Sequence, residues 1–92
     1  MKLTVRFYGH LRSLLEDKWE LELELSESSN VSQLLSELKK DDQIRNVLFD
    51  DGEMKSDLTI MKNGREIKYL DGRDTQLIQG DEISIFPLVA GG

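Results

Sequence analysis

The chain has no cysteine among its 92 residues. That excludes disulfides, thiolate metal sites and a cysteine nucleophile; it suits a reducing compartment without requiring one. There is one histidine, His10, just after an apolar strand pattern and without a recognisable partner. It reads as an exposed polar residue of a short helix rather than a general base or ligand. Long apolar runs are also missing. Met1-Lys2-Leu3-Thr4-Val5-Arg6-Phe7 lacks the apolar core of a signal peptide, and no run approaches the roughly 20 residues that span a bilayer. The expectation is a cytoplasmic protein. Gly52, Gly64, Gly72 and Gly80 stand apart as turn residues, so no glycine-rich phosphate loop is present.

Basic charge is scarce as well: 12 Lys and Arg against 18 Asp and Glu, a net −6. Such a field repels phosphate backbones and anionic headgroups, so neither nucleic acid nor membrane is expected as a partner. A basic protein surface suits it better. The carboxylates are spread over strand faces and loops, with no catalytic pair visible. Asp41-Asp42 and Asp50-Asp51 read as solvated loop charges, because a metal site would need denser oxygen spacing. No catalytic residue, metal or bound cofactor is expected.

What the sequence does have is pattern, at 38% hydrophobic and 33% charged, in a length that supports one modest core. Leu3, Val5 and Phe7 alternate with Thr4, Arg6 and Tyr8, the period of a half-buried strand. Gly9 breaks it, and Leu11, Leu14 and Leu15 predict a short helix to about Glu16. Trp19, Leu21, Leu23 and Leu25 alternate with three glutamates, which predicts a strand with one buried and one wet face. Val31, Leu34, Leu35 and Leu38 form the stripe of an amphipathic helix. Asn30 and Gln33 supply a capping box, and Lys39-Lys40 suit its negative end. Ile44, Val47 and Leu48 predict a shorter helical turn before an acidic loop, Asp50-Asp51-Gly52. Asn63-Gly64 between Leu58–Lys62 and Arg65–Leu70 is a strong hairpin signal. After Thr75-Gln76-Leu77, Gly80-Asp81 introduces a last strand, Glu82 to Pro87. One main helix with about five strands predicts an α+β fold, a mixed sheet with the helix across one face and short helices beside it.

The end of the chain is where chemistry is expected. Pro87 cannot donate to a ladder, so it fits the point where the last strand ends. Residues 1–87 form the expected domain and 88–92 a flexible tail, in which Ala90, Gly91 and Gly92 have little or no side chain. Such a tail can thread a narrow channel and place the Gly92 carboxylate in another protein's active site, where a Cβ would collide.

The run Gly80-Asp81-Glu82-Ile83-Ser84-Ile85-Phe86-Pro87-Leu88-Val89-Ala90-Gly91-Gly92 resembles the ending of MoaD/ThiS-type sulfur carriers and archaeal ubiquitin-like modifiers. The hairpin around Asn63-Gly64 and the opening Val5-Arg6-Phe7-Tyr8-Gly9 match as well, so the resemblance covers the whole chain. Leu88 departs from it, standing where the family usually has a second proline; this tail is less stiff and more apolar. The resemblance implies a ubiquitin-like β-grasp fold. It further implies that a MoeB/ThiF-like adenylyltransferase uses ATP to adenylate Gly92. Sulfur attack would then give a thiocarboxylate, for delivery to a molybdopterin precursor, with a MoaE-like large subunit of molybdopterin synthase as partner, or to a tRNA base. Attack by a lysine would instead give an isopeptide bond, as in protein conjugation. A third reading is a β-grasp interaction module whose glycines are merely a flexible end.

Parity locates a partner surface. If Leu3, Val5, Phe7, Ile83 and Ile85 face the helix, then Tyr8, Phe86 and Leu88 point to the uncovered face, and Met61 shares their parity. In a β-grasp sheet the strands holding them are neighbours, so they are expected to form one apolar patch beside the tail. Tyr8, Met61, Phe86, Pro87, Leu88, Val89 and Ala90 are the expected partner-binding residues, with acids on their rim.

Overall fold

A computed structural model describes residues 1–88. In chain order the elements are β1 (Lys2–Phe7), α1 (His10–Leu15), β2 (Glu20–Glu24), α2 (Val31–Leu38), α3 (Asp42–Leu48), β3 (Phe49–Asp50), β4 (Glu53–Met54), β5 (Leu58–Lys62), β6 (Arg65–Glu66) and β7 (Glu82–Pro87). Five strands form one mixed sheet in the order β2-β1-β7-β5-β6, with β1 and β7 parallel at its centre. A parallel pair requires a long connection. Here the helices occupy it and cover one face of the sheet.

The alternation in β1 and β7 decides which face that is. Leu3, Val5, Phe7, Ile83 and Ile85 are each at most 1% exposed, packed in one core with Val31, Leu34, Leu35 and Leu38 of α2. Each such burial contributes about 1.5–3 kcal/mol before entropy is counted. The start of α2 is closed reciprocally: the Gln33 amide donates to Asn30 Oδ1 at 3.0 Å, and the Asn30 amide donates to Gln33 Oε1 at 2.7 Å. The predicted hairpin forms at Asn63-Gly64, whose φ values of 49° and 83° are both positive, as a tight primed turn demands.

Several expectations fail locally. Asp41 is no free loop charge: its Oδ1 accepts from the Ile44 amide at 3.0 Å and caps α3, while Oδ2 takes Lys18 Nζ at 2.8 Å. The acidic loop is a small hairpin of its own, β3 with β4, turning at Asp51-Gly52. Trp19 precedes its predicted strand, in a 3₁₀ turn over Glu16–Trp19, and the Arg12 guanidinium lies 3.7 Å over its ring. Leu14 is 55% exposed, because the six-residue α1 turns only Leu11 and Leu15 to the core. The run after Asn63-Gly64 pairs only through Glu66. It then coils into a 3₁₀ turn at Ile67–Tyr69 that seats Ile67 in the core and leaves Tyr69 in solvent. Leu21, Leu23 and Leu25 are only half-buried, because β2 is an edge strand.

Candidate functional site

The outer face of the sheet divides along its length. Because β1 and β7 are parallel, both finish at the same end, and Tyr8 extends the ladder there by donating to the Ile85 carbonyl at 3.0 Å. The Tyr8 and Phe86 rings meet edge to face, with centroids 6.4 Å apart and planes at 75°. Across from them β5 places Met61 opposite Ser84. Together with Gly9 and Pro87 these residues line an open, largely apolar depression of about 470 Å³. The small side chain of Ser84 lies between its larger neighbours and leaves this space. Parity predicts Ser84 for this face, although a search for large apolar residues passes over it.

In the sequence Gly9 reads as a strand breaker and as part of the opening motif. The register that sets Phe7 beside Ile85 also brings Gly9 level with Pro87. A Cβ on Gly9 would lie 3.1 Å from Pro87 Cγ, and the residue has φ +62°. Both the approach and the backbone favour glycine. Pro87 is the last residue of β7, opposite Leu58, and the next amide, that of Leu88, donates to the Asp57 carbonyl at 2.6 Å. Tyr8, Met61, Phe86 and Pro87 are thus brought together. Leu88 is 64% exposed and stands outside the lining. Val89, Ala90, Gly91 and Gly92 lie outside the described residues.

The start of β7 is built from different material. Asp81, 2% exposed, accepts from the Ile78 amide at 2.8 Å and from Asn63 Nδ2 at 2.9 Å. Asn63 returns the contact through its Oδ1, which takes the Glu82 amide at 2.8 Å. Lys62 Nζ stands 3.7 Å from the Asp81 carboxylate. The Gly80-Asp81-Glu82 part of the C-terminal motif therefore holds the hairpin tip against the last strand.

Some acids of the sheet's outer face are paired with cations. Arg6 bonds Glu20 at 2.7 Å and Glu82 at 3.1 Å, and these bonds raise its pKa. Lys68 stands 3.4 Å from Glu66. His10 is exposed at the start of α1. Among the described residues no three His, Cys, Asp or Glu side chains are grouped as metal ligands. None of the helices described is long and apolar enough to cross a membrane.

Residues 5–92 match the ThiS family. The chain belongs to the ThiS family. A relative from Haloferax volcanii, small archaeal modifier protein 3, is 37% identical over 93 residues, covering all of both chains. Another, from Archaeoglobus fulgidus, has a name that proposes a sulfur carrier; it is 35% identical over 80 residues, 87% of this chain and 90% of its own. Among solved structures, small archaeal modifier protein 1 of Methanosarcina acetivorans is 30% identical with a TM-score of 0.79, covering 99% of this chain and 96% of its own. A complex of subunits 1 and 2 of molybdopterin-converting factor from Helicobacter pylori contains a chain of the same fold, at 24% identity, TM-score 0.68 and full coverage of both. The fold of this ThiS-family chain is the ubiquitin-like β-grasp, and its class is that of small carriers and modifiers rather than catalysts.

Proposed function

We propose that this chain is a sulfur carrier acting through the carboxylate of Gly92. In this reading a partner adenylyltransferase binds the depression at Tyr8, Met61 and Phe86 and receives the residues after Leu88 in its ATP site. The Gly92 carboxylate attacks the α-phosphorus of ATP, and pyrophosphate leaves. Hydrosulfide delivered by a partner then adds to the acyl carbon, AMP departs, and a thiocarboxylate remains for transfer to a molybdopterin precursor or a tRNA base. Family membership supports the carrier class. The observation that carries the reading is positional: an exposed apolar depression opens at the same end of the sheet where β7 finishes at Pro87. An uncovered apolar patch is expensive to leave in water and marks an interface. The molybdopterin-converting factor complex, in which a chain of this fold is one subunit, supports a MoaE-like large subunit as a further partner.

A second reading, conjugation to target lysines through an isopeptide bond, is favoured by the Haloferax volcanii modifier, the more identical of the two relatives described. The experiment is the intact mass of the protein after incubation with ATP, a sulfide source and a cognate activating enzyme. Replacement of one oxygen by sulfur at Gly92 is the expected result. Lysine-linked adducts without that mass gain would favour the modifier reading, and neither product would remove both.

A further inference from the structure

Away from the depression, the sheet has a second unpartnered feature, its β2 edge. Met1 and Leu25 exchange both backbone bonds, which fixes the hydrogen-bonding parity of the β1–β2 pair. By the register that continues from it, Leu23 and Leu21 bond inward to β1. The amides and carbonyls of Glu22 and Glu24 therefore point away from the sheet, and no other strand pairs with β2 among the described residues. On the helix side of this edge lies a trough of about 330 Å³, floored by Leu21, Leu23, Leu38 and Ile44, with the Lys40–Glu37 ion pair at its mouth. On the other side stand Glu22 and Glu24, neither of which meets a cation within ion-pair distance among the described residues.

We infer that this edge binds an extended segment of a second protein in which basic and aliphatic residues alternate. Period and charge together select that occupant. An antiparallel strand added to β2 would set one residue directly opposite Glu22 and another opposite Glu24. Their side chains would stand on the acidic face, where Lys or Arg is favoured and Asp or Glu repelled. The residue between them faces the trough, opposite Leu23, and is aliphatic. A second copy of this chain fails the same test, since β2 paired antiparallel with itself sets Glu22 against Glu22 and Glu20 against Glu24. Charged edges are a common device against self-pairing. In this protein the device also leaves a complementary strand as the one that fits.

The probe is the capped peptide Lys-Val-Lys-Val-Lys, titrated into the full-length, isotope-labelled protein. The expected result is amide shifts confined to β2 and the trough, with hydrogen exchange slowed at Glu22 and Glu24. Glu-Val-Glu-Val-Glu should bind at least about tenfold more weakly. Methylating the peptide's central Lys nitrogen, which donates to Glu22, should abolish binding; methylating a Val nitrogen, which faces away from β2, should spare it. In the protein, Glu22→Pro removes an outward N–H that β1 does not use, a position where an edge strand tolerates proline. It should lose binding, whereas Glu22→Gln, which removes one charge but keeps the outward N–H, should only weaken it. Equal binding of all peptides, shifts at Tyr8 and Phe86 instead of β2, self-association through β2, or no shift at all would each overturn the inference. The methylated peptides decide the matter even if the proline variant fails to fold.

Discussion

The two ends of β7 differ although the strand is only six residues long. At the start, Gly80-Asp81-Glu82 is tied by side-chain hydrogen bonds to Asn63 and to the Ile78 amide, and Asp81 is buried. At the finish, Phe86 and Pro87 border an open depression with Tyr8 and Gly9. One continuous motif thus holds two kinds of residue. Polar atoms at the start find their partners within the chain, so they shape the fold. Apolar surface at the finish finds too little cover within the chain, so it is offered to something else. The comparison predicts that substitutions at the start cost stability and substitutions at the finish cost activation.

The largest separation should come from Phe86→Asp. A charge in the middle of the apolar depression removes the ring that packs on Tyr8 and adds a desolvation cost to any docking. Adenylation by the cognate enzyme should fall by at least about 30-fold, the size of a central interface residue's loss. The melting temperature should move little, because the side chain is only half-buried. Unchanged activation in a folded variant would separate the depression from the carrier's partner.

Asp81→Ala should do the reverse. It leaves the Ile78 amide and Asn63 Nδ2 without their acceptor at a part-buried point, which costs about 1–2 kcal/mol. Urea unfolding should show that loss, while the remaining folded protein is activated at the normal rate. If stability is intact, the start of β7 is not the structural knot its contacts describe.

Gly9→Ala tests the division from its weak side, because Gly9 sits at the finish and yet is required by the backbone. Its φ of 62° with ψ of −143°, a combination that favours glycine, and the 3.1 Å approach to Pro87 Cγ predict destabilisation of about 1–3 kcal/mol. Activation should fall only if the shifted Pro87 also moves Phe86, which parallel melting and adenylation measurements would separate.

Much of this is legible in the sequence. Strict alternation sets the faces of β1 and β7, because the pleat has no other way to place them; the grouping of Tyr8, Met61 and Phe86 also needs the strand order that the β-grasp resemblance implies. The capping box at Asn30 and the turn at Asn63-Gly64 are local codes whose partners lie within three residues, so they too could be read. What failed depends on partners distant in sequence. The contact of Gly9 with Pro87 exists only once β1 and β7 are in parallel register. The half-burial of Leu21 and Leu23 follows from β2 being an edge, which alternation cannot show. Trp19 and Ile67 each continued a plausible strand pattern, but their surroundings favour a 3₁₀ turn that puts one under Arg12 and the other in the core. Asp41 is the local exception: an aspartate three residues before Ile44 is an N-cap signal, but its neighbour Asp42 makes the pair resemble loop charge.

Asp41 also supplies a control away from both ends of β7, where the expected effect is smallest and depends on pH. Its carboxylate pKa is lowered, first by the Lys18 hydrogen bond and then by the Ile44 amide. A carboxyl group whose folded pKa lies below its unfolded one stabilises the protein fully above the ordinary carboxylate range. That contribution fades as pH falls through the lower folded value, where both states bind the proton. Asp41→Asn keeps an oxygen to accept from the Ile44 amide but discards the charge facing Lys18. The wild-type protein should therefore melt slightly higher than the variant at neutral pH, and the two should converge as acid is added. Because the pair is largely solvent-screened, high salt should narrow the neutral-pH gap as well. A gap that persists unchanged into acid would mean that Asp41 acts through the shape of its cap alone. Adenylation should be unaffected at any pH where the protein is folded, since Asp41 lines the trough under β2 and lies outside the depression at Tyr8 and Phe86.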